Sequence, residues 1–195
     1  AWLAARFLRE SFLRGGKACR TMVALPTLDA VFIDPALAWL RLRGASLRFS
    51  ERLRSIRFEG DHAVELDYGD RTEKVGDANV VLAVPPWVAG ELVPGLTVPT
   101  QFCAILNAHF AIAPPPGTPM ITALLGGMAQ WVVAHEYRVS VTISGADDVI
   151  DQDREGLARQ IWAEVCETLS ITAPLPAWQI VKERRATFAA TPEQD

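Results

Sequence analysis

The chain has no two glycines separated by a single residue, so the GxGxxG turn that cradles a dinucleotide pyrophosphate occurs nowhere in it. "GGKACRT" is not a phosphate loop, because it lacks the first glycine and the GK[ST] ending. HExxH and GxSxG are also absent. The three histidines, His62, His109 and His135, lie far apart without metal-ligand spacing. The three cysteines, Cys19, Cys103 and Cys166, form no CxxC pair, which excludes a thiolate zinc site and a disulfide framework and predicts reduced thiols. Neither Asn79 nor Asn107 starts a glycosylation sequon, and no basic-then-apolar leader pattern is present. No apolar run approaches the roughly 18 uncharged residues that span a bilayer. These absences predict a cytoplasmic protein. The formal net charge of -4 argues against a nucleic-acid partner, which needs a basic face to displace counterions.

What is present is ordinary globular material: 195 residues, half of them hydrophobic and 22% charged, enough for one substantial core or two small ones. "AWLAARFLRESFLRGG" has Leu3, Phe7, Leu8 and Phe12 at helical spacing and ends in two glycines. "IDPALAWLRLRG" is a second helix, with Asp34 as cap, Pro35 at its first position and Gly44 at its exit. Period two follows. "SLRF", "RLRSIRF", "AVELDY" and "RTEKV" read as short antiparallel strands, with turn residues in "EGDH" and "YGDR". "VVLAV" does not alternate, so it reads as a strand buried on both faces and stopped by Pro85-Pro86. "WVAGELV" predicts a short helix. "QFCAILNAHFAIA" is apolar at every even position from Phe102 to Ile112, which predicts a long strand. "MITALL", "MAQWVVA" and "RVSVTI" predict three more, then a helix over "DREGLARQIWAEVCETL" and a last strand in "AWQIVKERRATFAA". Strands and helices do not alternate regularly. The fold class expected is α+β, with largely antiparallel sheets flanked by helices.

Few groups offer chemistry. His62 falls in a turn and should face solvent. His109 lies on the strand face opposite Phe110, where a hydrogen-bonded structural histidine is expected. "KERRATF", Lys182 to Phe188, is the densest cluster. Its charges can guard a strand edge against aggregation, or its end can line a pocket. Trp131 and Trp178 are core residues unless a pocket makes them ligand contacts. The chain begins Ala-Trp-Leu, its first methionine is Met22, and it ends in "ATPEQD" without a closing element. These ends predict a piece of a longer protein.

The order of segments resembles the middle of flavin-dependent amine oxidases and phytoene desaturases. "PALAWLRLRGASLRFSERLRSIRF" leads to "VELDYGDRTEKVGDANVVLAVPPW". Leu53 to Ile56 stands in the family's V-x-x-I place, and Asp77 to Pro85 in the strand that returns to the FAD domain. "GGMAQWVVAHEYRVSVTISGADDVID", the helix after it and "IVKERRATFAATPEQD" resemble the squalene-associated branch, the hydroxysqualene dehydroxylases of hopanoid pathways. The resemblance covers nearly the whole chain. The family's GxGxxG unit and its carboxy-terminal glycine-aspartate segment are not in this sequence.

The resemblance implies substrate-domain helices over 1–44, an excursion into the FAD-binding domain over 45–85, and the substrate-binding domain over 86–195. It implies FAD in a longer parent and no FAD retained by these residues alone. The implied reaction is reductive removal of the hydroxyl of hydroxysqualene, giving squalene, with hydride from reduced flavin. Leu53 would lie against the adenine side, and Val84, Pro85 and Pro86 near the cofactor. Thr187 and Phe188 would approach flavin and substrate. Phe110 and Trp131 would wall an apolar tunnel, and Arg185 would orient the leaving hydroxyl. An isoprenoid substrate implies peripheral contact with a membrane, through Trp2, Phe7 and Phe12 of the first helix. Two alternatives stand beside this reading: a carotenoid desaturase or flavin amine oxidase, and a stand-alone lipid-binding domain without catalysis. Catalytic residues and oligomeric state are not legible.

Overall fold

The structure is a computed structural model and describes residues 2–16 and 22–192, so Cys19 lies outside the described residues. The side chain of Leu3 does as well. The described residues separate into two compact units. One comprises the residues up to Leu53 with Tyr68–Asp70; the other comprises Arg54–Asp67 and the residues from Arg71 onward.

The first unit is helical. Helix α1 spans Trp2–Glu10, where an Arg6–Glu10 pair at 3.0 Å bridges one turn. Phe7 and Phe12 meet edge-to-face at 6.0 Å. Helix α2 spans Asp34–Leu42 and carries Pro35 in its first turn, as expected. Asp34 does not cap it. A π-turn over Asp29–Ile33 feeds directly into α2, so the first turn inherits helical backbone and needs no side-chain acceptor. Gly44 leaves the helix at φ +78°, a conformation that disfavours other residues. The expected strand "SLRF" is absent: residues 46–49 have no strand partner, and Phe49 is exposed.

The second unit holds two sheets. Strands β1 (Ser55–Glu59), β2 (His62–Asp67) and β3 (Thr72–Lys74) form the expected meander, in the order β1-β2-β3 and antiparallel throughout. "VVLAV" departs from its expectation. Residues 80–84 join no sheet. Val80 and Leu82 line a hollow beside Ile56, Phe58 and Val64, whereas Val81 is 85% exposed. Burial on both faces needs neighbours on both sides, and the described residues cover only one.

Helix α3 spans Pro86–Leu92. The second sheet then assembles from β4 (Phe102–Phe110), β5 (Ile121–Ala123), β6 (Trp131–His135), β7 (Arg138–Ser144) and β8 (Trp178–Phe188), in the order β5-β6-β7-β4-β8. Every pairing is antiparallel. The even positions of β4 behave as their alternation predicts: Ala104, Leu106, Ala108 and Phe110 are buried. They belong to one core with Leu157, Ile161, Trp162 and Val165 of helix α4, Arg154–Leu169. Burying each large apolar side chain contributes about 1.5–3 kcal/mol. Asp153 caps α4 by accepting the Gly156 N–H at 2.7 Å. The observed architecture is α+β with antiparallel sheets.

Candidate active-site cleft

Among the described residues, strand β8 is an edge strand, paired only with β4. Ile105 pairs with Glu183 and Cys103 with Thr187, so β8 spends two more residues than β4 over that interval. Arg184, Arg185 and Ala186 therefore stand opposite Ala104 alone. A bulge of this kind bends a strand and re-aims its side chains.

The charges of "KERR" divide between two tasks. Lys182 Nζ donates to the Gln152 carbonyl, and Arg184 pairs with Asp151, so both side chains tie β8 to the turn before α4. The Arg184 guanidinium holds the Asp151 carboxyl below its ordinary range, and Asp151 in turn raises Arg184. Both groups are exposed, so the pair adds little stability. Glu183 and Arg185 instead line an open cleft of about 560 Å³. Anchoring to that turn and lining of the cleft thus coexist in one strand.

The cleft joins Pro85, Pro86 and Trp87 at the start of α3 to Phe102 at the start of β4 and to Glu183, Arg185, Ala186, Thr187 and Phe188 of β8. Trp87 and Phe102 meet edge-to-face at 5.3 Å. The Arg185 guanidinium carbon lies 5.1 Å from the Trp87 ring centroid, within cation–π range. The Arg185 N–H donates to Glu183 Oε1 at 2.9 Å. The result is one guanidinium, one carboxylate and the Thr187 residue on otherwise apolar walls. Such a cleft fits a largely apolar ligand carrying a polar group.

The residues singled out in the sequence fall as follows. Pro85, Pro86, Arg185, Thr187 and Phe188 come together in the cleft. Val84 precedes them in the chain and is partly exposed, outside the cleft lining. Leu53 is half-buried at the end of the first unit's main segment. Phe110 is fully enclosed and tilted against Trp162 at 5.0 Å, within the core under α4 and outside the cleft lining. Its strand face is covered by α4, which parity alone does not reveal. Trp131 is half-exposed on β6, level with Thr142 of β7, and is not part of the cleft. Sequence reading missed Trp87, Phe102 and Glu183. Trp87 stands directly after Pro85-Pro86 and Phe102 opens the alternating run, but their meeting depends on long-range pairing.

His109 has the structural role its position predicts: Nδ1 lies 2.9 Å from Ser140 Oγ. Burial pushes its pKa down, with Arg138 and His135 adding to the effect. His62 is exposed. Among the described residues no cluster of three metal-ligating side chains occurs, and no helix is long and apolar enough to cross a membrane.

Residues 32–195 match the sequence profile of flavin containing amine oxidoreductases. Over its whole length the chain is 49% identical to the hydroxysqualene dehydroxylase of Rhodopseudomonas palustris and 48% identical to that of Sinorhizobium fredii. It is 40% identical to that of Zymomonas mobilis. It covers 47% of each of these proteins, so the chain spans about half the length of the curated relatives it matches. A solved structure from Exiguobacterium sp. 255-15, named for protoporphyrinogen oxidase, superposes with a TM-score of 0.56 at 13% identity. That match covers 82% of this chain and 40% of the other, and it supports the fold alone. On the match over residues 32–195, the chain belongs to the flavin-containing amine oxidoreductase family.

Proposed function

We propose that the chain forms the substrate-binding part of a longer FAD-dependent oxidoreductase that reductively removes the hydroxyl of hydroxysqualene, giving squalene. The similarity to three hydroxysqualene dehydroxylases over the whole chain supports this reading. The observation that carries it is Arg185: a single guanidinium set beside Trp87 in a cleft with apolar walls. A substrate that is hydrocarbon except for one oxygen needs a site of that kind.

The residues present fit one side of a flavin site. Pro85, Pro86, Trp87 and Phe188 offer an apolar wall and Arg185 a cation, while the pyrophosphate cradle has no counterpart in the sequence. Val84, Pro85 and Pro86 are the candidates for the cofactor side, and Leu53 for the adenine side. When bound, reduced flavin supplies the two electrons that the reaction consumes. In balance, the C–O bond breaks, the oxygen leaves as water after taking one proton, and a second hydrogen ends on carbon.

In this reading the chain positions the substrate. Arg185 donates to the departing oxygen and stabilises the charge that develops on it. A guanidinium does not give up its proton in proteins, so Arg185 orients the oxygen and another group supplies the proton. Trp87, Phe102, Thr187 and Phe188 hold the adjoining chain and exclude water. A flavin amine oxidase is a weaker reading, because an amine cation beside Trp87 would be repelled by Arg185. Trp131 and Phe110 are not assigned to the tunnel.

We also propose that the first unit touches an anionic lipid surface, from which such a substrate would be drawn. Trp2, Phe7 and Phe12 are exposed, and residues 1–53 hold nine Lys or Arg against four Asp or Glu, in a chain whose net charge is -4. The catalytic reading is tested by incubating the full-length protein with reduced FAD and hydroxysqualene and measuring squalene.

A further inference from the structure

The bulge in β8 frees backbone groups that need new partners. The Ala104 N–H finds the Asp147 carboxylate, at 3.2 Å to each oxygen. The Arg185 N–H finds Glu183 Oε1 at 2.9 Å, within its own strand. The two acceptors differ in what they fix. Asp147 anchors β4 to the short 3-10 turn at Ala146–Asp148, whereas Glu183 fixes the backbone of the residue whose side chain reaches Trp87. Glu183 also lines the cleft that Arg185 enters.

We infer that Glu183 is a positioning residue: by holding the Arg185 backbone in the bulge, it keeps the guanidinium over Trp87 and aimed at the substrate oxygen. This rests on the reading of Arg185 given above. The bond needs an acceptor oxygen and not a negative charge, so the amide oxygen of glutamine serves as well. A carboxyl acting as proton donor would not survive that exchange.

The test uses the full-length protein and the variants E183A, E183Q, R185A and E183A/R185A. Two readouts are taken: hydroxysqualene turnover, and crystal structures reporting where Arg185 lies. E183A is expected to lower kcat about tenfold, the scale of one lost hydrogen bond, with KM within about twofold. Its structure should show Arg185 away from Trp87. E183Q is expected to retain activity and geometry, and E183A should add no loss in the R185A background. Arg185 still over Trp87 in E183A would overturn the inference, and so would E183Q falling as far as E183A. Arg185 displaced with turnover unchanged would confirm the positioning and instead contradict the role given to Arg185.

Discussion

Arg185 is one residue from Arg184 and has a different task, because strand parity and the bulge send their side chains to different neighbours. Arg184 is tied to Asp151 on the surface, while Arg185 stands over Trp87 in the cleft. Replacing Arg185 with leucine should therefore leave stability nearly unchanged and lower kcat/KM for hydroxysqualene about tenfold or more, the range of a hydrogen bond to a charged group. Steady-state kinetics with parallel thermal melts would check it; a large loss of stability with normal turnover would refute it. His109 makes a prediction of another kind. Its folded pKa lies below the ordinary value, because burial, Arg138 and His135 all disfavour the charged ring. The unfolded chain then binds protons first on acidification. Stability should be full above about pH 6.5 and fall as pH drops from there through the folded pKa. His135, lowered by burial and by Arg138, acts in the same direction. Denaturation midpoints across that range should flatten for His109→Asn, which retains a polar partner for Ser140; an unchanged pH slope would contradict the assignment.

At the scale of elements, the turn between β5 and β6 is held from outside. The Glu164 carboxylate of α4 accepts from the N–H groups of Met128, at 3.1 Å, and Ala129, at 2.8 Å. Gly127 permits this approach: a Cβ there would sit 2.5 Å from Glu164 Oε2. Gly127→Ala should push the carboxylate off both donors and cost about 1–3 kcal/mol, measurable by urea denaturation. A cost below a few tenths would show that Glu164 adapts. The elements also show what the sequence discloses. The alternation in β4 and the spacing in α4 were legible because each states a local period that the core satisfies. "SLRF" has the same alternation and forms no strand, since strands are made by partners and not by propensity. "VVLAV" reads as buried on both faces, yet Val81 is open to solvent for want of a covering neighbour. Pro85, Thr187 and Phe188, which the resemblance names, line the cleft. Trp87, Phe102 and Glu183 needed the β4–β8 register, which no local pattern encodes.

At the scale of the molecule, charge and apolar exposure are distributed unevenly. The basic surplus lies in residues 1–53, together with exposed Trp2, Phe7 and Phe12. Full-length protein should cosediment with vesicles containing phosphatidylglycerol, less so at high salt, and weakly with neutral vesicles. Combined replacement of Trp2, Phe7 and Phe12 by serine should abolish that binding without altering the fold of the second unit; equal binding to neutral vesicles would refute the electrostatic part. The central claim concerns chemistry, and the most direct test is anaerobic turnover. Full-length protein with reduced FAD and hydroxysqualene should yield squalene as the flavin is oxidised, one squalene per flavin. Flavin oxidation without squalene, or a desaturated product in its place, would contradict the account.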